Sequence, residues 1–197
     1  MLGILQQSFS QSRTENFQMI LHDDWRMQSS MTDKSTGAQI CEKDFSAKGW
    51  YKISIPSTII AGLIANNEYN FDPFYGTNFE KLADKRLDHP WWFRKEFDLP
   101  ASEKDKNVVL KLHGVNYKAN VWLNGVMIAD SSYIKGPFRI IELDVTKQIK
   151  YDGKNVLAFE ILRPFNPNKH DGDLAIDYAD WIHYPPDYKL VRTFKLG

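Results

Sequence analysis

Side chains that often carry metal or covalent chemistry are present in this sequence, but their spacing does not assemble a site. The five histidines show no ligand spacing: His22, His89, His113, His170 and His183. The acidic run from Asp171 to Asp180 lacks the ligand order and closing glutamate of a calcium loop, so we interpret it as a solvated loop. Cys41 is the single cysteine and has no neighbouring histidine to activate it. The sequence therefore predicts no metal site, no cofactor and no internal disulfide.

Charge and hydropathy exclude two further classes of protein. The 25 basic and 25 acidic residues balance, and no basic stripe is present that would bind nucleic-acid phosphates. No run approaches the roughly 20 apolar residues of a membrane span. The N-terminal stretch MLGILQQSFSQSRTENF lacks the basic and apolar segments of a signal peptide, so the compartment is unknown from the residues alone. We expect residues 1–18 to form a poorly ordered tail and residues 19–197 to form one domain.

Aromatic residues are the informative excess. Six Trp, nine Tyr and 12 Phe make up 14% of the chain. The aromatic core of a β-sandwich explains this content, and so does a sugar-binding face, on which rings stack against the C–H face of a pyranose. Composition favours the core interpretation and leaves the second open.

The element that would position any such site is a hairpin within residues 108–129. Asn124-Gly125 is the pair that a two-residue type I′ turn requires, because both residues need positive φ. The turn predicts Leu123 opposite Val126, Val121 opposite Ile128 and Ala119 opposite Asp130. Both faces of the hairpin are apolar, which predicts either a sheet covered on both sides or a strand beside a cleft.

The rest of the chain reads as short strands with turns between them. A helix capped by Ser57 or Thr58 and reaching Ile64 is the one helix that the pattern predicts. Further strands are predicted at residues 19–28, 49–56, 90–97, 138–145, 155–162 and 191–196. This pattern is typical of an all-β, antiparallel sandwich or jelly roll.

Two long irregular segments, residues 66–87 and 163–186, interrupt the strands. Loops of this length in a compact domain are usually functional or disordered. Phe71, Phe74, Tyr75 and Phe79 argue against simple disorder of the first loop. We expect the two loops to meet at one end of the sandwich.

Six motifs in order resemble one family. They are WYKISIPSTIIAGLI (50–64), DPFYGTN (72–78), PWWFRKEFDLP (90–100), LHGVNYKANVWLNG (112–125), KGPF (135–138) and DYADWIHYPPD (177–187). Together they resemble the N-terminal domain of glycoside hydrolase family 2, in the branch of exo-β-glucosaminidases and β-mannosidases. The resemblance implies a galactose-binding-like jelly roll that precedes immunoglobulin-like domains and a catalytic TIM barrel. It also implies a periplasmic or secreted location.

The resemblance implies three substrate-binding residues. Asp180 matches a family aspartate that contacts sugar hydroxyls, for which a carboxylate is a strong acceptor. Asn78 matches an asparagine at the rim of the same pocket, and its amide can donate and accept. Trp181 would supply a stacking wall. The alternatives are a loop-organising acceptor for Asp180, a turn-stabilising side chain for Asn78 and a packing residue for Trp181.

The resemblance does not imply activity for this chain by itself. The family's two catalytic glutamates lie on barrel strands, and a TIM barrel needs roughly 250 residues. Asn67-Glu68 echoes the family's Asn-Glu acid/base pair, but it precedes DPFYGTN, and we interpret the match as coincidence. We therefore predict a chain that is inactive alone and has no catalytic residues.

Three hypotheses about function follow. In the first, the chain is the sugar-binding domain of a retaining exo-β-glycosidase, and its partners are a terminal glucosamine- or mannose-like sugar and the parent's barrel and immunoglobulin-like domains. In the second it is a stand-alone carbohydrate-binding module. In the third it is a truncated remnant without a ligand. The family's glycine-containing turn is missing after Pro185-Pro186-Asp187, so we expect a shifted or poorly ordered closing strand, as in a truncated gene product, an excised domain or a fragment.

Overall fold

The protein folds into two antiparallel β-sheets. The computed structural model describes residues 17–81, 84–162 and 193–196. Its strands are β1 (Trp25–Ser29), β2 (Tyr51–Ile53), β3 (Ser57–Thr58), β4 (Trp91–Phe97), β5 (Val109–Val115), β6 (Lys118–Leu123), β7 (Val126–Ala129), β8 (Ile141–Asp144), β9 (Asn155–Leu162) and β10 (Thr193–Leu196). One sheet has six strands in the order β2-β1-β4-β9-β6-β7, and the other has four in the order β3-β10-β5-β8.

The main hydrophobic core collects inward-facing side chains from both sheets. Strand alternation places every second residue of β4 and β6 on the inner face of the six-stranded sheet. Trp91 and Phe93 from β4 are 0% and 1% exposed, and they pack in the same cluster as Leu112 of β5 and Ile141 of β8. The predicted all-β sandwich of the galactose-binding-like class is therefore confirmed.

The outer face of the six-stranded sheet is also covered. A second hydrophobic cluster lies there, formed by Ile40, Cys41, Trp50, Trp92, Trp122, Val156 and Ala158. The rings of Trp92 and Trp122 lie 5.4 Å apart between centroids, and each is less than a tenth exposed. The apolar hairpin predicted either a sheet covered on both sides or a strand beside a cleft. At Trp92 and Trp122 the structure shows a covered sheet.

The hairpin between β6 and β7 confirms the predicted turn and corrects the predicted register. Asn124 and Gly125 have φ values of 53° and 89°, as a type I′ turn requires. Leu123 lies opposite Val126 as predicted, but Val121 pairs with Ala129 and not with Ile128. The prediction of Val121 opposite Ile128 was wrong, and so was the continuation of that register to Ala119 and Asp130. A β-bulge after Met127 inserts one extra residue, which sequence alternation alone does not reveal.

Within residues 17–81, 84–162 and 193–196, two α-helices accompany the sheets. The predicted helix is α2 (Ile59–Ala65), and its N-cap is Thr58, whose hydroxyl accepts a hydrogen bond from Ala61 N at 3.0 Å. The sequence analysis missed α1 (Gly37–Ile40), a single turn that covers Trp122. The missed signal was Thr36-x-x-Gln39, a capping box in which both reciprocal bonds are present. None of the helices in the described part of the chain is long and apolar enough to cross a membrane.

Candidate functional site

Asn78 lies at the start of a 3₁₀ turn, Asn78–Lys81, inside the long loop between α2 and β4. Its Nδ2 donates to the carbonyl of Asp72 at 2.9 Å, and Lys81 Nζ donates to its Oδ1. Its backbone N–H donates to the carbonyl of Tyr75 at 3.1 Å. The amide thus stabilises its own turn, which was the alternative interpretation of this residue. A primary amide has two donors and two lone pairs, so these contacts leave it capacity for a ligand.

The tip of the same loop displays two aromatic side chains. Asp72 Oδ1 accepts a hydrogen bond from Phe74 N at 2.9 Å, and Asp72 O accepts one from Tyr75 N at 3.3 Å. Phe74 and Tyr75 are 74% and 76% exposed. The loop therefore brings an amide and two exposed rings within five positions of one another, the types of side chain that bind a sugar.

The other two predicted binding residues lie outside the described part of the chain. Asp180 and Trp181 lie within residues 163–186, the second segment predicted to be a loop, and the structure does not describe it. The meeting of the two loops at one end of the sandwich stays a prediction, and so does the role of each of these side chains.

The sequence analysis did not single out a charged cluster behind this loop. Arg86 forms ion pairs with Asp84 at 2.6 Å and Glu68 at 2.8 Å, and it donates to the hydroxyl of Tyr51 at 2.6 Å. Tyr69 donates to Asp84 Oδ2 at 3.2 Å. Asp84-x-Arg86 is a weak signal, because the sequence does not show that Glu68 and Tyr51 lie beside it.

The cluster perturbs the acidity of its members. Burial acts to raise the pKa of Asp84, but hydrogen bonds from the Arg86 side chain and backbone outweigh it and hold that pKa below its ordinary value. Burial, with the nearby Asp84 carboxylate, raises the pKa of Tyr69. Hydrogen bonding to Asp84 raises the pKa of Arg86. At neutral pH the cluster therefore holds a charged Arg86–Asp84 pair and a neutral Tyr69.

A surface concavity lies between the edge strands β7 and β8. Its volume is about 390 Å³, and its lining includes Asp130, Glu142 and Asp144. Asp130 and Asp144 accept hydrogen bonds from Ser132 and Thr146 in their own turns, and these bonds lower the pKa of each carboxyl. Across residues 17–81, 84–162 and 193–196, no three His, Cys, Asp or Glu side chains are grouped to hold a metal ion. We therefore assign the candidate site to the Asn78 loop.

Comparison with known proteins decides the family. Residues 25–194 match the family model described as the glycosyl hydrolase 2 galactose-binding domain-like domain. The chain belongs to this family. The match takes in every motif that carried the resemblance, including the Asn78 loop and the segment around Asp180.

The relatives of this family member are far longer than the chain. It is 35% identical over 156 residues to an exo-β-D-glucosaminidase of Amycolatopsis orientalis, which is 79% of this chain and 14% of the relative. It is 31% identical over 157 residues to a mannosylglycoprotein endo-β-mannosidase of Lilium longiflorum, which is 76% of this chain and 16% of the relative. The chain thus spans about a seventh of the length of these relatives.

One solved structure is similar to this chain in both fold and sequence. The complex of the A. orientalis exo-chitosanase CsxA with PNP-β-D-glucosamine matches with a TM-score of 0.70 and 33% identity. The match covers 87% of this chain and 19% of the CsxA chain. These proteins confirm the predicted branch of the family, that of glucosaminidases and mannosidases.

Proposed function

We propose that this family member is the non-catalytic sugar-binding domain of a retaining exo-β-glycosidase of the β-glucosaminidase or β-mannosidase type. In this role it shapes the terminal-sugar pocket of a catalytic TIM barrel that this sequence does not contain. The observation that supports the proposal most is the matched region itself. The alignment with the A. orientalis relative takes in 79% of this chain, yet only 14% of that relative.

Asn78 would contribute to the pocket from the first long loop. Its remaining donor and acceptor suit one hydroxyl or amino group of a terminal sugar. Asp180 would accept from two hydroxyls of the same sugar, and Trp181 would stack against its C–H face. The exposed rings of Phe74 and Tyr75 support a sugar-facing position for this loop.

Bond cleavage would fall to the barrel. Retaining hydrolysis requires two carboxyl groups about 5–5.5 Å apart, one as nucleophile and one as acid/base. In this branch both belong to the barrel, and a chain of 197 residues is shorter than the roughly 250 that a TIM barrel needs. We therefore propose that the chain alone hydrolyses no glycosidic bond.

Exposed apolar side chains support contact with further domains. Phe138 and Ile140 are 95% and 61% exposed on the segment before β8. Large apolar side chains exposed together are typical of surfaces that another protein or domain covers. In a parent enzyme this segment would meet the barrel or an immunoglobulin-like domain.

The experiment that tests the proposal is to sequence the genomic DNA that follows the codon for Gly197. The expected result is an open frame that continues into a barrel with two catalytic glutamates. Within that full-length enzyme, Asn78→Ala should lower kcat/KM for an aryl β-glucosaminide or β-mannoside by about tenfold or more. A frame that encodes no barrel would contradict the proposal.

The second candidate is a stand-alone carbohydrate-binding module. It is favoured by the Asn78 loop, in which an amide and two exposed rings are already held in place by bonds within the loop. It predicts that the chain by itself binds glucosamine, mannose or their oligomers. Titration of the chain followed by NMR decides: shifts of Asn78 and Tyr75 at millimolar sugar support a module, and their absence excludes it.

A further inference from the structure

The Asn78 loop is closed at its neck by side chains from both of its ends. Glu68 and Tyr69 lie where the chain enters the loop, and Asp84 and Arg86 lie where it leaves. Tyr69 donates to Asp84 Oδ2 at 3.2 Å, and Arg86 Nη1 donates to Glu68 Oε2 at 2.8 Å. These two bonds join residues 15 and 18 positions apart in the chain. The entrance and the exit of the loop are therefore cross-linked directly.

The Arg86 guanidinium makes most of these connections at once. Its Nε donates to both oxygens of Asp84 at 3.0 Å, and its Nη2 donates to Asp84 Oδ2 at 2.6 Å. Its Nη1 also donates to the hydroxyl of Tyr51, and its cationic carbon lies 5.8 Å from the centre of the Tyr51 ring. Because Tyr51 belongs to β2, the guanidinium ties the neck of the loop to the six-stranded sheet.

The backbone of Arg86 is fixed to the same sheet. Its carbonyl accepts hydrogen bonds from Trp91 Nε1 at 3.0 Å and from Ser29 Oγ at 3.3 Å. Ser29 and Trp91 lie on β1 and β4 and are fully buried. The next residue, Leu87, is 3% exposed and packs in the main core. Arg86 is thus fixed to the sheet through its backbone and joined to the neck of the loop through its guanidinium.

Partial burial makes these ion pairs stronger than exposed ones. The side chains of Arg86, Asp84 and Glu68 are 23%, 11% and 30% exposed. Exposed single ion pairs contribute little, because water screens them and both side chains lose entropy. Arg86 and Asp84 instead share a forked, charge-assisted geometry that only arginine can make.

We propose that Arg86, together with Asp84 and Glu68, is a positioning group that sets the conformation of the Asn78 loop without touching the sugar itself. The part of this inference that concerns sugar affinity rests on the proposed function. The part that concerns the loop does not, because it follows from the contacts at the neck. We call these three side chains the clasp. Asn78 and the Phe74–Tyr75 tip are the parts of the loop that the clasp would hold in place.

The test compares three variants by amide hydrogen exchange and NMR. Arg86→Met removes the charge and every donor, and Arg86→Lys keeps the charge but loses the fork. Arg139→Met is the matched control, since among the described residues Arg139 donates to carbonyls of another surface segment, those of Tyr133 and Lys135. We expect exchange of the amides at residues 72–81 to rise about tenfold or more in Arg86→Met, less in Arg86→Lys, and not in the control.

A second control distinguishes a specific effect on the Asn78 loop from a general loss of stability. It is a variant that destabilises the protein at another place. Ile141→Val trims the main core from β8, an edge strand of the four-stranded sheet, whereas Arg86 is anchored to the six-stranded sheet. It should lower the melting temperature without changing exchange at residues 72–81 relative to the rest of the protein. The proposal is overturned if folded Arg86→Met shows wild-type exchange and an unshifted Asn78 side-chain amide signal. Should Arg86→Met fail to fold, Glu68→Gln and Tyr69→Phe each weaken one link across the neck, and the same two readouts decide.

Sugar affinity is measured on the same variants with glucosamine and with mannose. If the wild-type chain binds either sugar, Arg86→Met should raise the dissociation constant about tenfold at a temperature where both proteins are folded. Unchanged affinity would overturn the positioning role in binding. If the wild-type chain binds neither sugar, the stand-alone module is excluded, while the exchange experiment still supports or overturns the clasp.

Discussion

Replacing Gly37 by alanine tests whether the outer face of the six-stranded sheet is closed. A Cβ built at Gly37 would lie 2.2, 2.3 and 2.6 Å from three ring atoms of Trp122. Real Cβ atoms essentially never approach other heavy atoms closer than 3.0 Å. The Trp122 ring is 8% exposed and packs against Trp92, so it has little room to withdraw. The added methyl group must therefore push α1 away from the sheet or force the ring out of its place.

The expected cost follows from two opposing effects. Overpacking a well-packed core by about one methyl group destabilises a protein by roughly 1–3 kcal/mol. Alanine is the better helix former by up to about 1 kcal/mol, but α1 is a single turn and Gly37 is its first residue, so this gain is smaller. The net loss should be about 1–2 kcal/mol, which for a domain of this size lowers the melting temperature by roughly 2–8 °C.

The assay is urea and thermal denaturation followed by tryptophan fluorescence, with Gly153→Ala as the control. Gly153 has no positive φ, and a Cβ added there would meet nothing within 4 Å. The control should be neutral or slightly stabilising. In a Trp122→Leu background, which removes the larger ring, Gly37→Ala should cost measurably less. A Gly37→Ala protein as stable as the wild type would refute the closed face and restore the alternative of a cleft beside Trp122.

Three further changes probe the hairpin, the helix cap and the charged cluster. Asn124→Ala should destabilise by about 2–4 kcal/mol in urea titrations, because the turn needs positive φ and the side chain donates to Gln148 O and Asn155 Oδ1. Asn124→Gly keeps the φ and isolates the lost bonds. Thr58→Ala should cost about 1 kcal/mol of unfolding free energy by losing the N-cap of α2, whereas Thr58→Ser should cost less. Asp84→Asn should make the melting temperature fall less steeply as the pH drops below the unfolded pKa of Asp, about 4. The sign follows from the lowered pKa of Asp84: its stabilisation is present above the unfolded pKa of about 4 and is lost as the pH falls through the folded value.

Each of these three predictions has a clear contrary result. An Asn124→Ala hairpin with wild-type stability would mean that the side-chain bonds to residues 148 and 155 contribute nothing. A cost for Thr58→Ser equal to that of Thr58→Ala would show that the hydroxyl of residue 58 does not cap α2. If Asp84→Asn keeps a steep acid transition, that transition belongs to other carboxyl groups with a lowered pKa, such as Glu96 beside Arg94.

Local signals in the sequence predicted the elements whose structure depends on near neighbours. The Asn124-Gly125 turn and the Thr58 cap of α2 are both present, because each depends on φ preferences or hydrogen bonds within a few residues. Alternation predicted that Trp91 and Trp92 of β4 face opposite sides of the sheet, and both are buried. The sequence analysis missed α1, although its capping box at Thr36 and Gln39 is a local signal of the same kind.

The candidate site was only partly readable from sequence. The resemblance pointed to Asn78, and the structure shows that its amide also ties down its own turn. Exposure of Phe74 and Tyr75 is set by the path of the loop, which residue types alone do not give. The positions of Asp180 and Trp181 relative to Asn78 remain predictions.

By itself, the sequence determined the class of fold, the main turns, the helix cap and the family, because these rest on residue preferences over short stretches and on motif order. Only the tertiary structure decided the β-bulge after Met127, the cover that α1 places on Trp122 and the clasp around Arg86. The last two depend on which distant segments meet. Arg86 reaches Glu68 and Tyr51 across 18 and 35 positions, and no periodicity in the chain records such a contact.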